Sequence, residues 1–330
     1  MTFDRPNAAV IKAEAFAEDQ NPQAGYRILL DAADAGDAEA CFRLGLWFFV
    51  GRRLPRKLNE ARHWFERAGA LGHQDANVVF NGFLATGTGG SRDWPRAMAL
   101  LKERASTDTW AARELALIDA MGLSPEGDAA TPIKGEQIAE RPNVILFRDF
   151  LRPEECVLLA QLAAPLLKPS TVIEPRTGLL VQNPIRTSDA CAFPLMSEGP
   201  FISIVNRRIA QASGTAPEQG EPLQVLRYRA GQEYRAHFDA LPYSDNQRIK
   251  TVLLYLDDGY AGGKTTFVRT GLSISGRTGD ALMFQNTLPD GTIDPLSLHA
   301  GEPVLDGVKL LASRWIRARP IDLMAPPSRA

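Results

Sequence analysis

Along the first third of the chain, apolar and small residues recur at helical spacing in blocks, and the blocks themselves repeat. Shifting the sequence by 36 residues against itself brings Gly36 onto Gly72, Ala40 onto Ala76 and then Ala112, Gly51 onto Gly87, and Ala61 onto Ala97. Large apolar positions keep step: Leu44 with Phe80, Trp64 with Leu100, Phe65 with Leu101. Small residues at a fixed period let paired helices approach closely, while the large ones between them fill a stacked core. Each unit reads as helix, glycine-containing turn, helix, as in DAEACFRLGLWFFVG, RRLPRK and LNEARHWFERAGALG over residues 37–72. A poorer last unit, DTWAARELALIDAMG, suits a capping repeat.

Residues 123–142 break this period with prolines, glycines and scattered charge, the composition of a linker or an edge-running entry segment. From Asn143 the pattern becomes β-type. The runs NVILF, LQVLRY, KTVLLYL, TTFVR, LSISG, DALMFQN and VKLLASRWIR are punctuated by GYAGG, SGRTGD and LPDGT. Many short strands with glycine-rich turns predict an antiparallel barrel or sandwich. Two helices accompany them. One spans Pro153–Leu167, with proline and glutamates in its first turn where the helix dipole favours them, and the other lies near Phe201–Ala212.

Composition changes this picture little. With 45% hydrophobic and 23% charged residues the chain reads as globular, and a net charge of −2 offers no basic excess for a phosphate backbone, so nucleic acid is not indicated. No apolar run approaches the roughly 20 residues of a membrane helix, and the N-terminus shows no secretory-signal pattern. Cys41, Cys156 and Cys191 sit apart among apolar neighbours, which suits buried thiols in a reducing, cytoplasmic setting. His63 and His73 fall in the repeats and are given no chemistry.

The chemistry gathers around the two other histidines. His237 and Asp239 follow the strand-like LQVLRY, and on extended chain residues two apart face the same side. With His299 as a third ligand, two imidazoles and a carboxylate would hold a metal on one face and leave positions open for a 2-oxo acid and dioxygen, the facial triad of non-haem Fe(II) oxygenases. The competing reading is a surface strand carrying a charge pair. Lys309 stands ten residues beyond His299, and Trp315 six beyond that. A lysine in the apolar run VKLL needs an anionic partner, because burying it unpaired is expensive, and the far carboxylate of 2-oxoglutarate would provide one.

Two resemblances follow from these motifs. The repeats resemble the Sel1-like subfamily of tetratricopeptide repeats over residues 24–122. FLRPEEC, RTS at 186–188, LQVLRYRAGQEYRAHFD, RIKTVLLYLDDGYAGGKTTF, GDALMFQNTLPDGTIDPLSLHAGEPVLDGVK and SRWIR resemble, in order and spacing, the catalytic domain of the prolyl 4-hydroxylase family. This resemblance implies an α+β multidomain chain: a helical repeat solenoid over 1–122, a linker over 123–142, a double-stranded β-helix (jelly-roll) oxygenase domain with flanking helices over 143–320, and a tail over 321–330. It further implies that His237, Asp239 and His299 ligate Fe(II), and that Lys309 and the Thr265 hydroxyl bind 2-oxoglutarate. Tyr228 and Tyr234 would line the catalytic pocket near the metal and Trp315 would wall its end.

Tyr228, Tyr234 and Trp315 have a second reading as core aromatics, Thr265 as an ordinary strand residue, and Gly262 and Gly263 as a simple turn. The family's reaction would consume dioxygen and 2-oxoglutarate, use ascorbate as reductant, and hydroxylate a prolyl residue in a protein or peptide, with the repeats holding that substrate or another partner. Leu310, where the family commonly has tryptophan, and Ala240, where it often has an aromatic, depart from the pattern. They are expected to reshape the substrate entrance, which keeps a small molecule or another side chain open as the target. An inactive, repeat-based binding protein is a further alternative.

Overall fold

A computed structural model describes residues 7–131, 133–173, 180–182 and 185–322. The tail expected over 321–330 lies outside the described residues from 323 onward. The chain divides into two compact units, residues 1–128 with 195–204, and residues 129–194 with 205–330.

The first unit is helical: α1 (Ala8–Glu18), α2 (Pro22–Asp34), α3 (Ala38–Val50), α4 (Leu58–Ala70), α5 (Gln74–Thr86), α6 (Trp94–Ala105) and α7 (Thr109–Asp119). The recurring residues have local causes. Asp37, His73 and Asp108 cap α3, α5 and α7, their side chains accepting from the backbone N–H of Ala40, Ala76 and Ala111. These three alanines are buried. The caps are 36 and then 35 residues apart, so Ala111, not Ala112, is the third member of the series. Gly51 and Gly87 recur because each ends its helix in the left-handed region, with φ of 77° and 82°.

The second unit follows the β-type runs. In chain order it holds β1 (Glu136–Ala139), β2 (Val144–Phe147), α8 (Pro153–Ala163), β3 (Lys168–Pro169), β4 (Thr171–Ile173), β5 (Leu180–Gln182) and β6 (Asp189–Phe193). Then come α9 (Pro200–Ser213), whose first residues are counted with the first unit, β7 (Leu223–Arg229), β8 (Tyr234–His237), β9 (Arg248–Tyr255), β10 (Ala261–Gly262) and β11 (Thr265–Phe267). The remainder is β12 (Leu272–Ile274), β13 (Ala281–Gln285), β14 (His299–Gly301), β15 (Val304–Asp306) and β16 (Val308–Arg317). Two of these differ from expectation. α8 stops at Ala163 and tightens into a 3₁₀ turn over Ala164–Leu166, since Pro165 has no N–H to continue the helix. β1 lies inside the stretch read as a linker, because Glu136 and Gln137 find partners in Leu146 and Ile145.

An antiparallel sheet in the order β1-β2-β13-β9-β16-β7-β6-β3 faces a four-stranded sheet in the order β12-β11-β14-β8. The core between them joins Val144, Leu146, Leu253, Tyr255, Leu282, Phe284 and Leu311 of the large sheet to Phe267 and Ile274 of the small one. At roughly 1.5–3 kcal/mol for each large apolar side chain, this burial holds the sheets face to face as a jelly roll.

Candidate active site

The site opens between the two sheets. β14 pairs antiparallel with β8 in a register that sets His299 directly opposite His237. Asp239 follows β8 by two residues and completes a cluster whose three ligand atoms all lie within 4.8 Å of one another. The His237 Nε2 is 3.5 Å from Asp239 Oδ1, and the His299 Nε2 is 3.6 Å from Asp239 Oδ2.

Each imidazole is oriented from behind. His237 Nδ1 lies 2.8 Å from the Arg235 carbonyl oxygen and His299 Nδ1 2.9 Å from that of Ser297. A carbonyl can only accept, so Nδ1 carries the proton in both rings and each Nε2 lone pair is left for a metal. Tyr234 stacks on His237 with ring centroids 3.5 Å apart, which fixes the plane of the imidazole. Burial pushes the His299 pKa down to about 4, so it is neutral, as a ligand must be. Burial alone would raise Asp239, but the facing histidines and the Thr251 hydroxyl outweigh it and hold the carboxyl well below its ordinary range. Two imidazole nitrogens and one carboxylate converging on a point fit Fe(II).

Lys309 is buried on β16, where its ammonium donates to the Gly263 carbonyl at 2.6 Å. The rings of Tyr228, Tyr255 and Tyr260 surround it, with centroids 5.9, 5.7 and 5.8 Å from Nζ. Thr265, two residues beyond Gly263, is buried on β11, its hydroxyl 3.1 Å from that of Tyr255. Burial raises the phenol pKa of Tyr228 and Tyr234, so both keep their protons at neutral pH.

One pocket of about 510 Å³, open mouth included, is lined by His237, Asp239, His299, Lys309, Thr265, Tyr228, Tyr234 and Trp315 together. The alternation of β16 explains much of this: Lys309, Leu311, Ser313 and Trp315 all line the pocket, so the intervening residues face the other way. Leu310 is one of these, and Ala240 is buried away from the lining as well. Neither residue forms the pocket wall.

The sequence reading did not single out Arg186, Thr251 or Asn286. Arg186 lines the pocket with its guanidinium 5.5 Å from the Tyr234 ring centre. Thr251 Oγ1 donates to Asp239 Oδ2 at 2.6 Å and accepts from Asn286 Nδ2 at 2.9 Å, and both residues are fully buried. A polar threonine inside the apolar strand KTVLLYL was the available signal.

The 2OG-Fe(II) oxygenase superfamily model matches residues 223–317, which hold all eight expected site residues, and the Sel1 repeat model matches residues 38–73. Prolyl 4-hydroxylase 1 of Arabidopsis thaliana is 36% identical over 206 residues, covering 57% of this chain and 73% of that protein. The probable prolyl 4-hydroxylase 3 of the same plant is 35% identical over 219 residues, covering 59% and 75%. Among solved structures, the viral collagen prolyl hydroxylase of Paramecium Bursaria Chlorella virus-1 in its 2OG complex matches with a TM-score of 0.43 and 26% identity, covering 53% of this chain and 96% of that chain. The chain is an Fe(II)- and 2-oxoglutarate-dependent dioxygenase with Sel1 repeats, and it belongs to the prolyl 4-hydroxylase family.

Proposed function

We propose that this chain hydroxylates a prolyl residue in a protein or peptide, consuming dioxygen and 2-oxoglutarate and releasing succinate and carbon dioxide. The observation that carries the reading is that a His–Asp–His cluster, buried at Asp239 and His299, and a buried lysine ammonium line the same pocket. His237, Asp239 and His299 would hold Fe(II), which supplies the oxidation of the 2-oxo acid by dioxygen. Lys309 and the Thr265 hydroxyl would hold the distal carboxylate, with the Tyr255 hydroxyl fixing Thr265. Leu226, Leu253 and Leu311 keep the walls apolar, which strengthens those charged contacts by excluding water.

A prolyl substrate is supported by the relatives, which are named as prolyl 4-hydroxylases. It also suits the aromatic surfaces that Tyr234 and Trp315 offer to a pyrrolidine ring. Ascorbate as the reductant rests on the family resemblance alone. A cytoplasmic setting is supported by the buried, free state of Cys41, Cys156 and Cys191. For the repeats we propose the holding of the protein substrate or another partner, supported by the Sel1 match and by a mixed polar groove between α4, α5 and α6 that includes Asn77, Phe80 and Arg104.

The test is incubation of the full chain with Fe(II), 2-oxoglutarate and a library of proline-containing peptides, followed by mass spectrometry. A gain of one oxygen on proline, matched by succinate, is expected. Succinate formed only with small-molecule acceptors, and no modified proline, would overturn the prolyl assignment.

A further inference from the structure

We propose that Thr251 and Asn286 are positioning residues that aim the Asp239 carboxylate at the metal, a reading that rests on the metal centre described above. The direction of the relay is set by proton counting. Asn286 Nδ2 can only donate, so the Thr251 oxygen accepts there and spends its single proton on Asp239 Oδ2. A flipped amide would present Oδ1 to Thr251 and compete for that proton, leaving the buried carboxylate oxygen without its donor at 2.6 Å.

The arrangement has a cost that points to a use. Asn286 is fully buried, and its Oδ1 has no hydrogen-bond partner among the described residues. An unsatisfied buried carbonyl is unfavourable, and an apolar residue would avoid it, so the retained group is the amide N–H that addresses Thr251. The Asn286 main chain reaches the other ligand as well. Its carbonyl accepts from Asp294 N at 3.0 Å, at the start of the turn whose Ser297 carbonyl holds His299 Nδ1. Asn286 N–H in turn donates to the Ile249 carbonyl at 2.9 Å, two residues before Thr251. One residue on the loop after β13 thus ties the supports of Asp239 and His299 together.

The test is a titration of the metal-free full chain with Co(II), followed by calorimetry and by the visible band of bound Co(II), with thermal melts of each metal-free protein as the folding control. Neither 2-oxoglutarate nor peptide is present, so a failure of the prolyl assignment leaves this result untouched. Thr251→Val keeps the shape and removes the hydroxyl, and it is expected to weaken Co(II) about 10- to 100-fold. Thr251→Ser is expected to stay within about threefold of wild type. Asn286→Ala keeps the hydroxyl but frees its rotation; it should lose at least about threefold, and it carries the test if the valine variant does not fold. Equal Co(II) affinity in all variants, or a serine variant as weak as valine, overturns the relay. A wild type that binds no Co(II) overturns the metal centre itself, and the relay with it.

Discussion

At the scale of single residues, the buried charge of Lys309 makes the sharpest demands. Its Nζ has a neutral carbonyl and three tyrosine rings around it, and burial pushes its pKa down to about 8. If it grips 2-oxoglutarate, Lys309→Ala should weaken 2-oxoglutarate binding by roughly 30- to 1,000-fold while iron binding and melting temperature stay close to wild type. Lys309→Arg should recover only part of that, because a planar fork approaches a carboxylate differently from a point charge. The sign of the pH effect follows from the same group. Lys309 is charged below about pH 8 and neutral above it, so 2-oxoglutarate affinity should be level below pH 8 and fall toward about tenfold per unit above it. Isothermal titration across that range checks this, and a flat profile to pH 9.5 would contradict the lowered pKa of Lys309. Arg314 and Arg317 cannot take its place. Arg314 donates to the carbonyls of Glu221, Asn206 and Pro217, and Arg317 is paired with Glu221. The clustering of His237, Asp239 and His299 was only partly legible in the sequence: His237 ends β8, Asp239 lies two residues beyond it, and His299 is brought in by the pairing of β14 with β8. Thr251 and Asn286 were not, because their roles depend on a contact between strands that no local pattern records.

At the scale of elements, β16 shows how a strand turns sequence into a site. Its period of two sends Lys309, Leu311, Ser313 and Trp315 to the pocket and Arg314 to the opposite face. The sequence motif after His299 therefore carried real geometry, while the departure at Leu310 fell on the face of β16 turned away from the pocket lining. In the repeats the same logic works through close approach. A Cβ added at Gly45 on α3 would sit 2.6 Å from the buried ring of Phe65 on α4. Gly45→Ala should destabilise the helical unit by roughly 1–3 kcal/mol, read as a lowered melting temperature, with the 2-oxoglutarate affinity of the catalytic unit unchanged. A melt identical to wild type would mean that the pair can separate without loss. The 36-residue echo made these helices readable; the one-residue shortening before α7 was hidden because Ala111 and Ala112 are adjacent alanines, and only the cap at Asp108 tells which is buried.

At the scale of the whole molecule, the division into a repeat unit and a catalytic unit was visible as a change of period from helical to alternating. Its detail was not: residues 195–204 are grouped with the repeats although they lie among the strands in sequence, and the sheet begins at Glu136 rather than after a linker. Both depend on partners far away along the chain. For the molecule as an enzyme, two imidazoles and a carboxylate bind Co(II) and Ni(II) more tightly than Fe(II) by intrinsic affinity. Excess of either ion should therefore suppress 2-oxoglutarate consumption, and added Fe(II) should restore it; turnover indifferent to Ni(II) would argue for a different centre. The most direct test of the central claim is succinate release by the full chain supplied with Fe(II), dioxygen, 2-oxoglutarate and a prolyl peptide, compared with Asp239→Ala and His299→Ala. The geometry predicts one succinate for each hydroxylated residue in the wild type and background in both variants. Succinate release that survives either substitution, or that is absent from the iron-loaded wild type, would contradict it.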